Sequence, residues 1–287
     1  IRSCPKLDWL TLSNQKLVAV GTNLKFYLEL GGTYYDITPL RASTTNSTTF
    51  AATNGSTTLT VTDSSHGAKI DDFVTFSSAV SLGGAITATV LNIEYQIVTV
   101  PSVNTYTVTA SVAANASDSG NGGSATDSAY QISPGPAVPV PLNGWGAGAW
   151  GDSTWNNGGV STVSLRTWSQ SNFGQDLIFG PKQGPIYYWT ADDTVTTRGV
   201  LLSSLSGASD VPTVQNLILI SDINRFVFCF GANTIGTSTQ DPMLIRWSDQ
   251  EDATNWTPSA INQAGSLRLS RGSEIISARQ ARQAVNI

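Results

Sequence analysis

The sequence predicts an all-β fold: a β-propeller, incomplete in this chain, with a small inserted module resembling a β-sandwich or barrel. The prediction rests on three observations: a low fraction of charged residues, repeated strand–turn–strand units, and a spacing of about 40 residues between similar units. Charged residues make up 12% of the 287 positions, about half of the roughly 25% usual in soluble domains. Thr, Ser, Gly and Trp are plentiful instead, and this composition favours strands and turns over long charged helices.

Three segments share one order of elements. Apolar strands are predicted at residues 17–20, 176–179 and 217–220, and each is followed by a turn and a second strand that is rich in aromatic residues. Such pairs of short strands around Gly- or Asn-containing turns are typical of hairpins in antiparallel sheets.

The spacing of these units predicts a repeat. The second and third units start at 176 and 217, 41 positions apart, and Trp168 and Trp247, in similar local sequences, lie 79 positions apart. A period of about 40 residues with about four strands is that of a propeller blade. An antiparallel sandwich with chance similarities is the alternative.

The interval between the first and second units is too long for consecutive blades, and its composition differs. Residues 43–133 are rich in Thr, Ser, Ala and Val, lack Trp, and contain four strand-like runs. We interpret them as a small all-β module inserted in a loop, where insertions cost little closure entropy. Residues 1–42 are then the first part of the propeller and 134–287 its remaining blades. Because only about four to five blades fit, we expect the chain to be part of a longer protein.

Few side chains in the sequence could hold a metal or act as a nucleophile. Cys4, Cys229 and His66 are the soft ligands, too few for a four-ligand zinc site, and we predict no metal and no cofactor. Two separate thiols are favoured over a disulfide between the cysteines. We expect His66 to hydrogen-bond across a hairpin. No apolar run approaches the ~20 residues of a membrane helix.

The Gly-rich stretch around residues 144–155 holds three tryptophans at five-residue spacing, Trp145, Trp150 and Trp155. Exposed indole rings in this arrangement could form a stacking platform for sugars or bases. Alternatively, the glycines allow tight turns while each indole fills the space between blades.

A glycosidase would need two convergent carboxylates. The candidates are Asp192 with Asp193, and Asp249 with Glu251 and Asp252. Both groups fall in polar turns after predicted strands, where acidic residues ordinarily bond the backbone or water. We therefore predict that the chain is not an enzyme.

Several stretches resemble tail proteins of short-tailed bacteriophages. They are Gly21-Thr22-Asn23 with residues 35–41, residues 168–178, the Gly144-Trp145-Gly146 stretch, residues 241–249, and Asn255-Trp256-Thr257-Pro258. Within the inserted module, His66-Gly67, residues 72–74 and Asn104-Thr105-Tyr106 resemble a small β module that recurs in phage tail and fibre proteins. Asp71-Asp72 stands where that module usually has Gly-Asp.

The resemblance points to the tail nozzle, or packaged-DNA stabilisation, family. It implies a propeller subunit in a ring of six below the portal and adaptor, with the genome held in and then passed through the lumen. The resemblance to this family implies no catalytic residues. The expected partners are copies of the chain, tail adaptor and fibre proteins, and double-stranded DNA in transient passage, all within the virion. A net charge of −5 suits a conduit that does not retain DNA.

An alternative function is that of a tail-fibre or adhesin propeller that binds host-surface glycan through Trp145, Trp150 and Trp155. The inserted module carries six acidic residues and one basic residue between positions 42 and 135. We expect it to project outward and contact a fibre or a neighbouring subunit.

Overall fold

The computed structural model describes residues 5–122, 126–133, 167–191, 194–281 and 285–287. These residues form antiparallel strands with one four-residue helix and one 3-10 turn, so the all-β prediction is confirmed. Within these ranges no sheet closes on itself. The propeller therefore stays a prediction.

In chain order, the described residues form 22 strands, one helix and one 3-10 turn. They are β1 (Lys6–Leu10), β2 (Lys16–Gly21), β3 (Phe26–Leu30), β4 (Thr33–Asp36), β5 (Leu40–Thr44), β6 (Thr49–Ala52), β7 (Thr58–Thr62), β8 (Phe73–Ser77), α1 (Ala88–Leu91), β9 (Glu94–Ser102), β10 (Thr105–Thr109), β11 (Asp118–Asn121), β12 (Asp127–Gln131), β13 (Trp168–Phe173), β14 (Asp176–Pro181), β15 (Tyr187–Trp189), β16 (Val200–Leu201), a 3-10 turn (Leu202–Ser204), β17 (Leu217–Ile220), β18 (Val227–Phe230), β19 (Leu244–Trp247), β20 (Gly265–Arg268), β21 (Arg279–Gln280) and β22 (Val285–Asn286).

The chain divides into two compact units. The first unit combines Ile1–Thr38 with Pro134–Ile287, and the second is Pro39–Ser133. The inserted module was predicted at 43–133, between propeller segments 1–42 and 134–287.

The described residues of the first unit form three four-stranded antiparallel sheets, and in each sheet neighbouring strands follow one another in the chain. We refer to β1–β4 as sheet I, β13–β16 as sheet II and β17–β20 as sheet III. In β14, Leu177, Ile178 and Phe179 are all fully buried. Because successive side chains of a strand point to opposite faces, sheet II must be covered on both sides.

Sheet II lies between the other two sheets. Strand β1 packs against β13, while β13 and β14 pack against β17. Phe26 of sheet I stacks on Phe179 with ring centroids 4.2 Å apart. On the opposite face, Ile178 and Ile218 share a core with the fully buried Trp256. Successive sheets thus bury one another's apolar faces.

The contact between sheets I and II is close at Gly21. A Cβ placed on this glycine would lie 2.4 Å from Cδ1 of Trp168, so no other residue fits there without displacement of the indole. The Trp168 indole N–H donates to the carbonyl of Thr22 at 2.7 Å, and its ring packs edge-on against Phe26. The indole N–H of Trp9 donates to the Gln175 carbonyl at 2.8 Å. These hydrogen bonds from side chains to backbone carbonyls join the regions of sheets I and II, which are far apart in sequence.

The predicted hairpins form, but the predicted repeat interval was wrong. Residues 17–20 and 176–179 lie in β2 and β14, the second strands of their sheets, whereas 217–220 lie in β17, a first strand. Trp168 stands on a first strand and Trp247 on a third. The intervals of 41 and 79 positions therefore compare non-equivalent strands. Connections of unequal length between strands displace the apolar runs from a fixed period.

The second unit holds eight strands in one continuous antiparallel order, β11-β6-β7-β10-β9-β8-β12-β5. Alternate residues of these strands build its core, which includes Phe50, Phe76 and the fully buried Tyr106 and Tyr130. Thr87 caps the N-terminus of the helix α1 by accepting from the Val90 amide with its side-chain oxygen, and the helix adds Leu91 to the core. The backbone amide of Ile132 donates to the carbonyl of Pro39 at 3.0 Å, so the unit starts and ends at one place.

Replacing Trp168 with Ala is expected to destabilise the first unit by about 3–5 kcal/mol, the usual cost of removing a large buried aromatic side chain. The lost contacts are those with Gly21, Thr22 and Phe26. Chemical unfolding followed by far-ultraviolet circular dichroism measures the change.

Ile276→Ala is the matched control, because the Ile276 side chain is 72% exposed. Its free energy of unfolding should stay within about 0.5 kcal/mol of the unchanged chain. Equal effects of the two substitutions would contradict the packing described here.

Candidate functional site

Several residues singled out from the sequence lie outside the described residues. They are Trp145, Trp150, Trp155, Asp192, Asp193 and Cys4. The packing and glycan-platform interpretations of the three tryptophans both stay predictions.

The second group of candidate carboxylates is engaged in turns. Asp249 Oδ1 accepts from the backbone amides of Gln250 at 2.8 Å and Gln263 at 2.9 Å. Asp252 Oδ1 accepts from the amide and the hydroxyl of Thr254 at 2.8 and 2.6 Å. Glu251 lies between them in a left-handed conformation, exposed to solvent. Two of the three carboxylates therefore stabilise the backbone of the connection between β19 and β20.

His66 is buried at the start of a turn in the second unit. Its Nδ1 accepts from the Ala68 amide at 3.0 Å, so it bonds within its own turn instead of across a hairpin as predicted. Its ring meets that of Tyr106 edge-on at 4.9 Å, and its carbonyl accepts from the Arg41 guanidinium at 3.0 Å. The surroundings are those of a packed histidine that shapes a turn.

A fully buried carboxylate, Asp63, lies at the centre of a hydroxyl network in the same unit. It accepts hydrogen bonds from Thr44 at 2.8 Å, Ser47 at 2.9 Å and Tyr130 at 2.6 Å. The hydroxyls of Tyr130 and Tyr106 are 3.0 Å apart. Hydroxyl donors satisfy the charge without a basic partner.

Ionisation of the two tyrosines is opposed by their surroundings. Burial raises the pKa of Tyr130 far above its usual value, and the adjoining Tyr106 hydroxyl and the Asp63 carboxylate raise it further. Burial also raises the pKa of Tyr106. Both tyrosines are therefore neutral hydrogen-bonding groups of the core.

The first unit contains a buried cation beside a buried thiol. Arg246 is fully buried, and its guanidinium lies 2.8 Å from the Asp210 carboxylate. Cys229, opposite it on β18, is a free thiol, and burial raises its pKa. In the described part of the chain no three His, Cys, Asp or Glu side chains group in a way that would hold a metal ion.

An open depression of about 530 Å³ lies where three turns of the first unit meet. It is formed by the end of β1, the β13–β14 hairpin and the β17–β18 turn. Its lining residues are Leu10, Thr11, Leu12, Phe173, Gly174, Gln175, Asp176 and Arg225.

Hydrogen bonds fix the walls of the depression. Gln175 Oε1 accepts from the Leu12 amide at 3.3 Å. The Asp176 carboxylate accepts from the Tyr188 hydroxyl and from the Ala191 amide. Arg225 is exposed, holds a left-handed backbone conformation, and has no ion pair among the described residues. The depression thus combines apolar side chains with Asp176, whose carboxylate is engaged by hydrogen bonds, and with the Arg225 guanidinium, which has no carboxylate partner among the described residues.

Sequence reasoning missed this depression. Its residues come from turns that are distant in sequence, and no motif marks them. Leu12, which lines the depression, and Ile223, two positions before Arg225, are large apolar residues that lie in turns of the structure, and they are 90% and 73% exposed. An apolar side chain in a turn has no strand face to bury it, which distinguishes it from the core residues of the hairpins.

Two of three comparisons with known proteins find no match. No family model matches the chain, and no curated protein matches it. Among solved structures, the phage phi92 endosialidase aligns with a TM-score of 0.30 and 15% sequence identity, over 96% of this chain and 39% of the endosialidase chain. The chain thus spans well under half the length of that protein. In the described ranges no helix is both long and apolar enough to cross a membrane.

Alkaline unfolding of the second unit should depend on Tyr130. Because its folded pKa is raised above the usual 10.0, its contribution to stability is fully present below pH 10.0 and is lost as the pH rises above that value. Tyr130→Phe should weaken this dependence and, by removing a donor to Asp63, lower stability at neutral pH by about 1–3 kcal/mol. Stability measured from neutral to alkaline pH checks both effects.

Tyr34→Phe is the control, since Tyr34 is 64% exposed. It should leave the alkaline profile unchanged. If Tyr130→Phe and Tyr34→Phe gave the same profile, the buried network would not be responsible.

Proposed function

We propose that this chain is a structural protein of a bacteriophage tail, a nozzle-like ring subunit that forms part of the DNA conduit below the portal and adaptor. It acts without catalysis or a cofactor. Its surroundings are copies of itself, tail adaptor and fibre proteins, and DNA that passes without being retained.

The observation that carries the proposal is where the family-like residues lie. Residues 168–178 form the β13–β14 hairpin, and residues 241–249 contain β19. Trp168 joins sheets I and II, and Trp256 fills the core between sheets II and III. The stretches that resemble tail proteins therefore contribute the contacts between sheets, as expected if the resemblance reflects a common architecture.

The arrangement of the sheets supports a propeller-like subunit. Three four-stranded meanders follow in chain order, and the first strands of successive sheets touch one another. Blades of a propeller meet in this way around their axis. Three sheets are fewer than the four to eight blades usual in closed propellers, so the proposal includes further blades or partner strands.

The distribution of charge supports a conduit that does not retain DNA. Five basic side chains of the first unit lie within 4.0 Å of carboxylates, and paired cations are poorly available for phosphate contacts. The pairs are Lys25–Asp36, Arg198–Asp36, Lys182–Glu274, Arg246–Asp210 and Arg268–Asp241. Net charge over the whole sequence is −5.

The Asp36 carboxylate illustrates the structural use of charge. Burial opposes its ionisation, but the hydroxyl and amide of Thr38, together with Arg198 and Lys25, hold its pKa below the usual range. The same guanidinium donates to the Thr38 carbonyl at 2.7 Å. The carboxylate thereby links the end of sheet I to the segment that precedes β16.

Removal of the chain from the phage that encodes it tests the proposal. The expected result is virions without the distal part of the tail, seen by negative-stain electron microscopy and restored by supplying the chain in trans. Intact tails in the deletion mutant would contradict it.

A glycan array separates the alternative of a fibre or adhesin. A conduit subunit is expected to bind no glycan. Binding that is lost in Trp145→Ala, Trp150→Ala or Trp155→Ala, with the fold retained, would favour the adhesin instead.

A further inference from the structure

The depression of the first unit has an apolar rim that is fixed in place. Leu12, 90% exposed, lies in a turn closed by the bond from the Thr11 amide to the Gln15 carbonyl at 3.0 Å. Leu10 beside it is 58% exposed. A rigid apolar surface next to an unpaired cation is suited to a partner that is apolar at its tip and acidic at its side.

The same unit carries a matching projection, the turn of residues 257–263, which we term the Ile261 turn. Its Asn262 side chain accepts from the Ser259 amide at 2.9 Å and donates to the Thr257 carbonyl at 2.8 Å. These bonds order the turn, yet Ile261 is 97% exposed. An ordered turn that holds an isoleucine fully in water loses the free energy that burial would give.

Acidic residues accompany this projection. The Gln263 amide donates to Asp249 Oδ1 at 2.9 Å, which brings the Ile261 turn against residues 249–252. Glu251 there is exposed and has no ion pair among the described residues. The projection thus offers an aliphatic tip with a carboxylate near it, and the depression offers apolar walls with Arg225.

Both features lie at the same end of sheet III. Arg225 belongs to the β17–β18 turn. The connection that carries Glu251 and Ile261 starts beside this turn, because the Ser248 amide donates to the Val227 carbonyl at 3.0 Å. When two copies face each other with these ends, the Ile261 turn of each copy can therefore enter the depression of the other. Such a reciprocal contact has two-fold symmetry and forms twice per pair.

We propose that two copies of this chain associate face to face, with the Ile261 turn of each copy seated in the depression of the other and Glu251 beside Arg225. The inference goes beyond the ring of the proposed function, because a two-fold contact joins subunits, or whole rings, in pairs and does not itself close a ring.

Charge reversal tests the polar part of the contact. In sedimentation of the full chain, Arg225→Glu and Glu251→Arg should each weaken pairing by about tenfold or more, and the double variant should restore it. Arg271→Glu makes the same change in charge at an exposed arginine elsewhere and should leave pairing unchanged. Equal weakening by Arg271→Glu, or no rescue in the double variant, would overturn the proposal.

Cross-linking tests the apolar part in a Cys4→Ser background. Leu12→Cys and Ile261→Cys chains, mixed and oxidised with diamide, should give a disulfide-linked dimer, whereas neither should do so alone. Cys229 is buried and does not interfere. Ile276→Cys, at a position 72% exposed, replaces Ile261→Cys as the control.

No mixed dimer, or equal cross-linking with the Ile276→Cys chain, would overturn the proposed contact. Such a failure is distinguishable from failure of the proposed function, because the deletion mutant reports on the tail whether or not this contact exists. Unchanged thermal unfolding of each variant shows that the fold is retained.

Discussion

The first unit depends on the close approach of Trp168 to Gly21. A sheet that is apolar on one face must bury that face against another element, and sheet I packs on sheet II. The absent side chain at Gly21 lets the indole ring lie against the backbone, and the indole N–H bonds the next carbonyl. Sheet II in turn covers sheet III, so the three sheets are joined through sheet II. The insertion between sheets I and II is tolerated because the second unit begins and ends at one hydrogen bond, between Ile132 and Pro39, so its length adds little to the entropy of bringing Trp168 to Gly21.

The carboxylates and the buried arginine of the described residues are used mainly for hydrogen bonds within the fold. Asp63 accepts from three hydroxyls, Asp249 from two amides, and Asp36 from Thr38 and two basic side chains. Arg246, fully buried, bonds Asp210 and nearby carbonyls. A chain with few charges that engages so many of them internally leaves mostly neutral surface for contact with partners, which accords with a permanent place in an assembly.

Local patterns predicted the hairpins, because an apolar run, a turn and a second run lie next to one another in the sequence. The apolar residues 177–179 of β14 are an example: they read as a strand, and burial on both faces explains why they do not alternate. The repeat interval failed because connections that lie within both intervals, such as those between β15 and β16 and between β16 and β17, differ in length, so that similar short runs fall on non-equivalent strands. The bond of His66 to Ala68 is set by the shape of one turn, which the sequence around it does not specify. The depression could not be predicted, since it unites Leu12, Phe173 and Arg225 from three turns.

The central claim is that the chain is a building block of a ring. The most direct test is the mass and symmetry of the purified assembly, measured by native mass spectrometry together with two-dimensional class averages from electron microscopy. The account predicts a closed ring of fixed stoichiometry, six copies or paired rings of six. A folded chain that stays monomeric over the whole accessible concentration range would contradict it.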